Sequence, residues 1–310
     1  MRFIGVSAQG DRVELQSPKS LVISRDKDAP ADSLSGVFPC AIEEELAQIY
    51  VYDSDELVYS GIVDEQVLSY GECVETEIIS RSMAALLLDN EALPMKYVNP
   101  SAQLIFLRYL RPLGFEKFVG ENRCVNGEFK VSKGSSCYKV LEDFCRKVYG
   151  STPREEGGVL YLQEGDSTSR VLFSNQSTEG IPFSYIAHNR LRCKLISRVR
   201  VKTLPGADYT SVVESSRALS RGIRRERYLN ASDYSVTSLS DAENIIRSGL
   251  DASESVIIDC IGRHTGLLGA DAQVEYDLGH RQEGFCVTGV RYSLTSKGER
   301  TRLILNKKEN

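Results

Sequence analysis

CVETEII, residues Cys73–Ile79, sets Val74, Thr76 and Ile78 on one side and Glu75 and Glu77 on the other. A period of two suits a strand half-buried in an antiparallel sheet, because successive side chains point to opposite faces. Working outward toward the N-terminus, Arg12–Gln16, Ser20–Ser24, Gln48–Tyr52, Glu56–Asp64 and Glu72–Ser80 are short runs of Val, Ile, Leu and Tyr. Asp11, Pro18, Asp53-Ser54-Asp55 and Gly71 supply turn material between them. Several short strands at close spacing predict a small barrel or sandwich. Arg81 to Leu88 reads as a helix that closes this module at Asp89-Asn90.

Toward the C-terminus the pattern changes twice. Asn99-Pro100 reads as a helix start, with Leu104, Leu107 and Leu110 as its apolar positions and Arg111-Pro112 as its stop. A second helix follows Gly134-Ser135-Ser136. Its face is Tyr138, Leu141, Phe144, Cys145 and Val148, and Gly150 stands where a left-handed cap is wanted. Strands near Gly158–Gln163 and Arg170–Phe173 are expected to complete a small α+β domain. From Leu191 strands return. ISRVRVK directs Ile196, Arg198, Arg200 and Lys202 one way and Val199 and Val201 the other. Further strands are expected at Tyr209–Glu214, Ser255–Ile261, Ala272–Tyr276, Phe285–Leu294 and Thr301–Leu305. A capping box, Ser240 at the N-cap and Glu243 three residues on, opens one more helix striped by Ala242, Ile245, Ile246 and Leu250.

The 310 residues are 41% hydrophobic and 26% charged, a soluble globular composition with room for about two domains. The longest purely apolar run, Met83–Leu88, is far below the roughly 20 residues of a membrane span. MRFIGVSAQGDRVEL lacks the apolar core of a signal peptide, so neither secretion nor a membrane partner is expected. Charge is uneven: residues 1–95 carry 6 Lys+Arg against 18 Asp+Glu, residues 96–190 carry 13 against 10, and residues 191–310 carry 19 against 15. The chain therefore divides into a β-barrel domain at 1–95, a middle α+β domain at 96–190, and a second β-barrel domain with one inserted helix at 191–310. The fold class is β-rich α+β, two small antiparallel β-barrel domains flanking a small α+β domain.

Chemistry-bearing motifs are sparse. GxSxG, P-loop, GxGxxG, HExxH and EF-hand patterns are missing. The eight cysteines (40, 73, 124, 137, 145, 193, 260 and 286) include no CxxC and read as reduced, buried thiols. His188, His264 and His280 show no metal-ligand spacing; Cys260 and His264 could share a helical face, but SVIIDCIG reads as a strand. No catalytic, cofactor-binding or metal site is expected, and no cofactor. One enzymatic alternative stands. Cys137 lies near a helix start, where the dipole lowers a thiol pKa, and His188 follows on a later strand-rich stretch, the order of papain-like peptidases. Against it, eight cysteines and three histidines generate such a pair by chance. RALSRGIRRER, Arg217–Arg227, is basic and has Tyr228 beside it, but Glu226 interrupts it and its region is only net +4. VSKGSSCYKVLEDFCRKVYG, Val131–Gly150, resembles part of a LysM-type glycan-binding module. A cell-wall-directed protein is thus the alternative reading.

RSMAALLLDNEALPMKYVNPSAQLIFLRYLRPLGF, Arg81–Phe115, resembles the join between first barrel and middle domain in phage baseplate hub proteins of the late control protein D and Mu-type families, including hubs of phage-like elements and tailocins of Gram-positive bacteria. Arg192–Asn230 resembles the start of their second barrel. DAENIIRSGLDASESVIIDCIG, VEYDLG and GFCVTGVRYSLTSKGERTRLIL resemble its helix and closing strands. Gly269-Ala270-Asp271 departs from the adjacent Gly-Asp of many relatives. The resemblance implies a non-enzymatic structural protein. It would be a homotrimer whose paired barrels form a pseudo-sixfold ring, adapting the hexameric tail tube to the trimeric central spike. The implied partners are the tail tube protein, the central spike protein, and baseplate wedge or tape-measure proteins, with DNA only as passing cargo. The implied location is a virion or tailocin tail baseplate assembled in the bacterial cytoplasm. A conduit for DNA should repel phosphate, which gives the acidic first module a role lining the lumen.

Overall fold

The computed structural model describes residues 1–163, 169–202, 208–230, 238–277 and 280–307. Thr203–Ala207 of the quoted Arg192–Asn230 stretch and Leu278-Gly279 of VEYDLG lie outside them. The chain divides into two compact units, each assembled from separate stretches. One holds Met1–Asp166, Ile261–Leu268 and Gly289–Thr301; the other holds Ser167–Cys260, Gly269–Thr288 and Arg302–Asn310.

In the first unit an antiparallel ladder runs from Arg12–Leu15 through Arg2–Ser7, Leu46–Asp53, Glu56–Tyr70, Val74–Arg81, Ser33–Phe38 and Ser20–Asp26 to Gly289–Leu294. From Thr76 on, Val74–Arg81 follows its alternation, with Thr76, Ile78 and Ser80 buried and Glu77 exposed; Val74, at the strand's start, departs from it and is exposed. Register places inward residues in rows across the strands. Leu15, Phe3, Val51 and Tyr59 form one such row. Tyr292, Ile23, Leu34 and Ser80 form another. The Tyr59 hydroxyl meets Ser80 Oγ at 3.0 Å, joining the two rows, and side chains from both ends of the ladder share one core. Each fully buried Leu, Ile or Phe here contributes ~1.5–3 kcal/mol. Arg2–Ser7 and Ser33–Phe38 were not among the predicted strands; each alternates small or polar residues with one or two apolar ones, and only pairing on both sides fixes them.

A second core of the same unit is helical. Cys137–Tyr149 buries Cys137, Val140, Leu141, Phe144 and Cys145, the spacing of one helix face. Ser136 accepts from Lys139 N at 3.1 Å, and Gly150, at φ 69°, ends the helix in the left-handed conformation expected of it. The preceding helix differs from expectation. Asn99 takes φ 51° and its side chain accepts from Gly127 N, so Ser101, accepting from Leu104 N, is the cap. Ala102–Ile105 is α-helical, Phe106–Leu110 widens to a π turn, and Arg111–Leu113 tightens to 3-10. Leu104 and Leu107 are exposed, while Ile105, Phe106, Tyr109 and Leu110 are buried. A step of three residues turns about 300°, so three leucines at that spacing drift off a single face.

In the second unit Phe183–Arg190 pairs antiparallel with Glu254–Ile261, as SVIIDCIG suggested. Arg170–Ser174, expected in the middle domain, instead pairs parallel with Asp271–Asp277, which pairs antiparallel with the start of His280–Thr295. A small sheet centres on Arg198–Val201, flanked by Ser211–Glu214 and Glu226–Leu229. Val199 and Val201 point into a core closed by Ala242 and Ile246 of the helix Ser238–Asp251. That helix begins before Ser240, so Ser240 lies inside it and is not its cap. The chain is a β-rich α+β protein.

Candidate functional site

Cys137 lacks the surroundings of an activated nucleophile. Cys137 is buried in the helical core, its N–H donating to Asn90 O at 2.9 Å, and burial pushes its thiol pKa up. A nucleophilic thiol needs the opposite shift. Desolvation is the cause of the rise. His188 stands on Phe183–Arg190 and meets the Tyr276 ring edge-on at 5.2 Å. Cys137 belongs to one compact unit and His188 to the other. Among the described residues no three His, Cys, Asp or Glu side chains gather as metal ligands. Among them, too, no helix is long and apolar enough to cross a membrane.

What the structure does bring together is charge. In the first unit Asp32, buried, receives Arg154 at 2.9 Å and lies 3.3 Å from Arg25 Nε. Glu155, equally buried, accepts from Gly158 N at 2.6 Å and Ala84 N at 3.4 Å. Burial raises the pKa of both carboxyls, and for Asp32 it outweighs the pull of the two arginines. Arg25, Asp32 and Glu155 line a small cavity of about 40 Å³. The group joins the Ser20–Asp26 strand to the segment that follows the Cys137–Tyr149 helix. Neither alternation nor helical periodicity signals it, since its members are distant in sequence.

Other acidic residues of the first module are also committed. Arg81 grips Asp64 and Asp89, Arg263 grips Asp53 and Glu56, and Lys19 pairs with Glu75. Glu43-Glu44-Glu45 differs: all three are exposed and have no ion pair among the described residues. The turn that carries them is nonetheless fixed. Gln66 donates to Ile42 O and Glu44 O and accepts from Leu46 N, and Thr76 Oγ1 accepts from Ile42 N and donates to Cys40 O.

The second unit carries the complement. Two clefts of about 430 and 450 Å³ share Arg190 and Glu254. Arg192 and Arg221 line the second, which is net positive; Lys307 and a further acid, Glu283, line the first, whose charges balance. Glu254 is the acid common to both and is already taken, with Arg221 at 2.7 Å and Arg217 at 3.9 Å. The Arg221 guanidinium holds its carboxyl below the ordinary value. Arg192 and Arg225 spend their guanidiniums on backbone carbonyls, and Arg190 has no ion pair among the described residues. By contrast Arg198 and Arg200 of ISRVRVK are neutralised by Glu214 and Glu226. The basic stretch Arg217–Arg227 therefore resolves into a paired sheet face and a net-positive cleft.

Known folds match the chain from end to end. A tail protein from Neisseria meningitidis aligns at TM-score 0.76 with 17% identity, covering 99% of this chain and 96% of that one. The fold is that of phage tail proteins. The 43 kDa tail protein of prophage MuSo2 from Shewanella oneidensis aligns at TM-score 0.78 with 13% identity, covering 98% of each chain. The Escherichia coli c3393 protein, a type VI secretion component described as structurally similar to the T4 tail proteins gp27 and gp5, aligns at TM-score 0.54 with 11% identity over 95% of this chain and 74% of that one. No family model matches the sequence. No curated protein matches it either.

Proposed function

We propose that the chain is a non-enzymatic tail or baseplate hub protein. Three copies close into a pseudo-sixfold ring that adapts a hexameric tail tube to a trimeric central spike. The observation that carries this is the end-to-end fold match to the two tail proteins, each covered almost entirely by this chain. The likeness of the type VI component to gp27 and gp5 supports spike-type partners. As domains the reading keeps 1–95 and 191–310 as barrel modules and 96–190 between them, with Arg170–Ser174 lent to the C-terminal module's sheet. Wedge or tape-measure proteins join it in the baseplate of a virion or tailocin, assembled in the bacterial cytoplasm. Part of the acidity of the first module lines the lumen, where phosphate slides rather than sticks. A peptidase role finds no support in Cys137, whose thiol is buried and held protonated.

The test is reconstitution. Mixed with its own tube and spike proteins, the chain is expected to give particles with sixfold features at one end and threefold features at the other by negative-stain microscopy. Failure to bind either protein would overturn the reading.

A further inference from the structure

Two surfaces of this chain have opposite charge. One is the cleft of the second unit bounded by Arg190, Arg192 and Arg221, whose one carboxylate, Glu254, is already consumed by Arg221 and Arg217. Arg190 and Arg192 are exposed around it. The other is the Glu43-Glu44-Glu45 turn, whose carboxylates are exposed while its backbone is clamped by Gln66 and Thr76. Clamping matters energetically. A turn fixed before contact loses little conformational entropy on docking, so more of the charge attraction survives as affinity.

We infer that the arginine-lined cleft of one copy takes the Glu43-Glu44-Glu45 turn of a second copy of this chain. The inference rests on the ring reading above, because a contact between two different surfaces of identical chains closes into a ring when its rotation permits. Carboxylate side chains suit the cleft better than a polyphosphate does. A nucleic acid needs a continuous basic track, and here Arg198 and Arg200 beside it are cancelled by Glu214 and Glu226. Guanidiniums also bind carboxylates bidentately, which gives register as well as attraction.

Light-scattering mass with melting curves tests this. Wild type is expected at three times the single-chain 34.5 kDa. The triple variant Glu43→Lys/Glu44→Lys/Glu45→Lys and the double variant Arg190→Glu/Arg192→Glu should each melt normally and drop threefold in mass. A chain carrying both sets restores opposite charges and should return to the wild-type mass. High salt, which shortens the screening length from about 8 Å to about 3 Å near 1 M, should shift wild type the same way. If wild type is trimeric and either folded variant keeps that mass, the inference fails and the ring stands. A wild type that stays single-chain overturns both. DNA retained by wild type and lost by Arg190→Glu/Arg192→Glu at unchanged mass would overturn it in favour of a phosphate ligand.

Discussion

Glu155 shows how a single side chain decides where two elements meet. Its buried carboxylate serves Gly158 N and Ala84 N, and Asp32 nearby is held by Arg154. Both carboxyls are raised in the fold, so the folded chain takes up protons before the unfolded one does. Between the ordinary 4.5 of a glutamate and its raised folded value, stability therefore falls as pH rises. Thermal melts from pH 4 to 7 should show Glu155→Gln with a flatter pH dependence than wild type. Equal slopes would refute the assignment. Cysteines provide a second test at this scale. The sequence reading of buried, inert thiols holds for Cys137, Cys145, Cys260 and Cys286 but not for Cys73, Cys124 and Cys193, which are exposed. Burial pushes Cys260 up to about 12. Alkylation at neutral pH, read by peptide mass, should label Cys73, Cys124 and Cys193 first. Fast labelling of Cys137 would revive the peptidase reading.

Among the elements, what alternation or capping encodes was legible. Val74–Arg81, the Cys137–Tyr149 helix with its Gly150 stop, and the Val199/Val201 face lie where local pattern puts them. What depends on distant partners was not. Arg170–Ser174 looked local to its neighbours but pairs with a strand about a hundred residues on. The leucines at spacing three promised a face that a π turn does not present. Gly61 is a further hidden constraint. A Cβ there would collide with the Arg81 carbonyl and lie 2.5 Å from the Tyr59 hydroxyl and 2.6 Å from Ser80 Oγ. Gly61→Ala should lower stability by ~1–3 kcal/mol in denaturant melts, through overpacking against those atoms. A neutral result would mean the ladder can shift there without cost.

For the whole molecule, class and family resemblance were readable because the stretches that carry the resemblance are spread across nearly the entire chain. The fold matches bear out that resemblance at the level of architecture. The candidate interaction surfaces were only half visible. The glutamate run and the arginine run stand out in the sequence, but which arginines are spent internally depends on partners outside the run, such as Glu254 for Arg217 and Arg221. The central claim is that copies of this chain close into a ring. Electron-microscope class averages of the purified chain, imaged at concentrations rising through the micromolar range, address it most directly. The account expects threefold particles with a central hole; single-chain particles throughout, or a closed assembly with twofold symmetry, would contradict it.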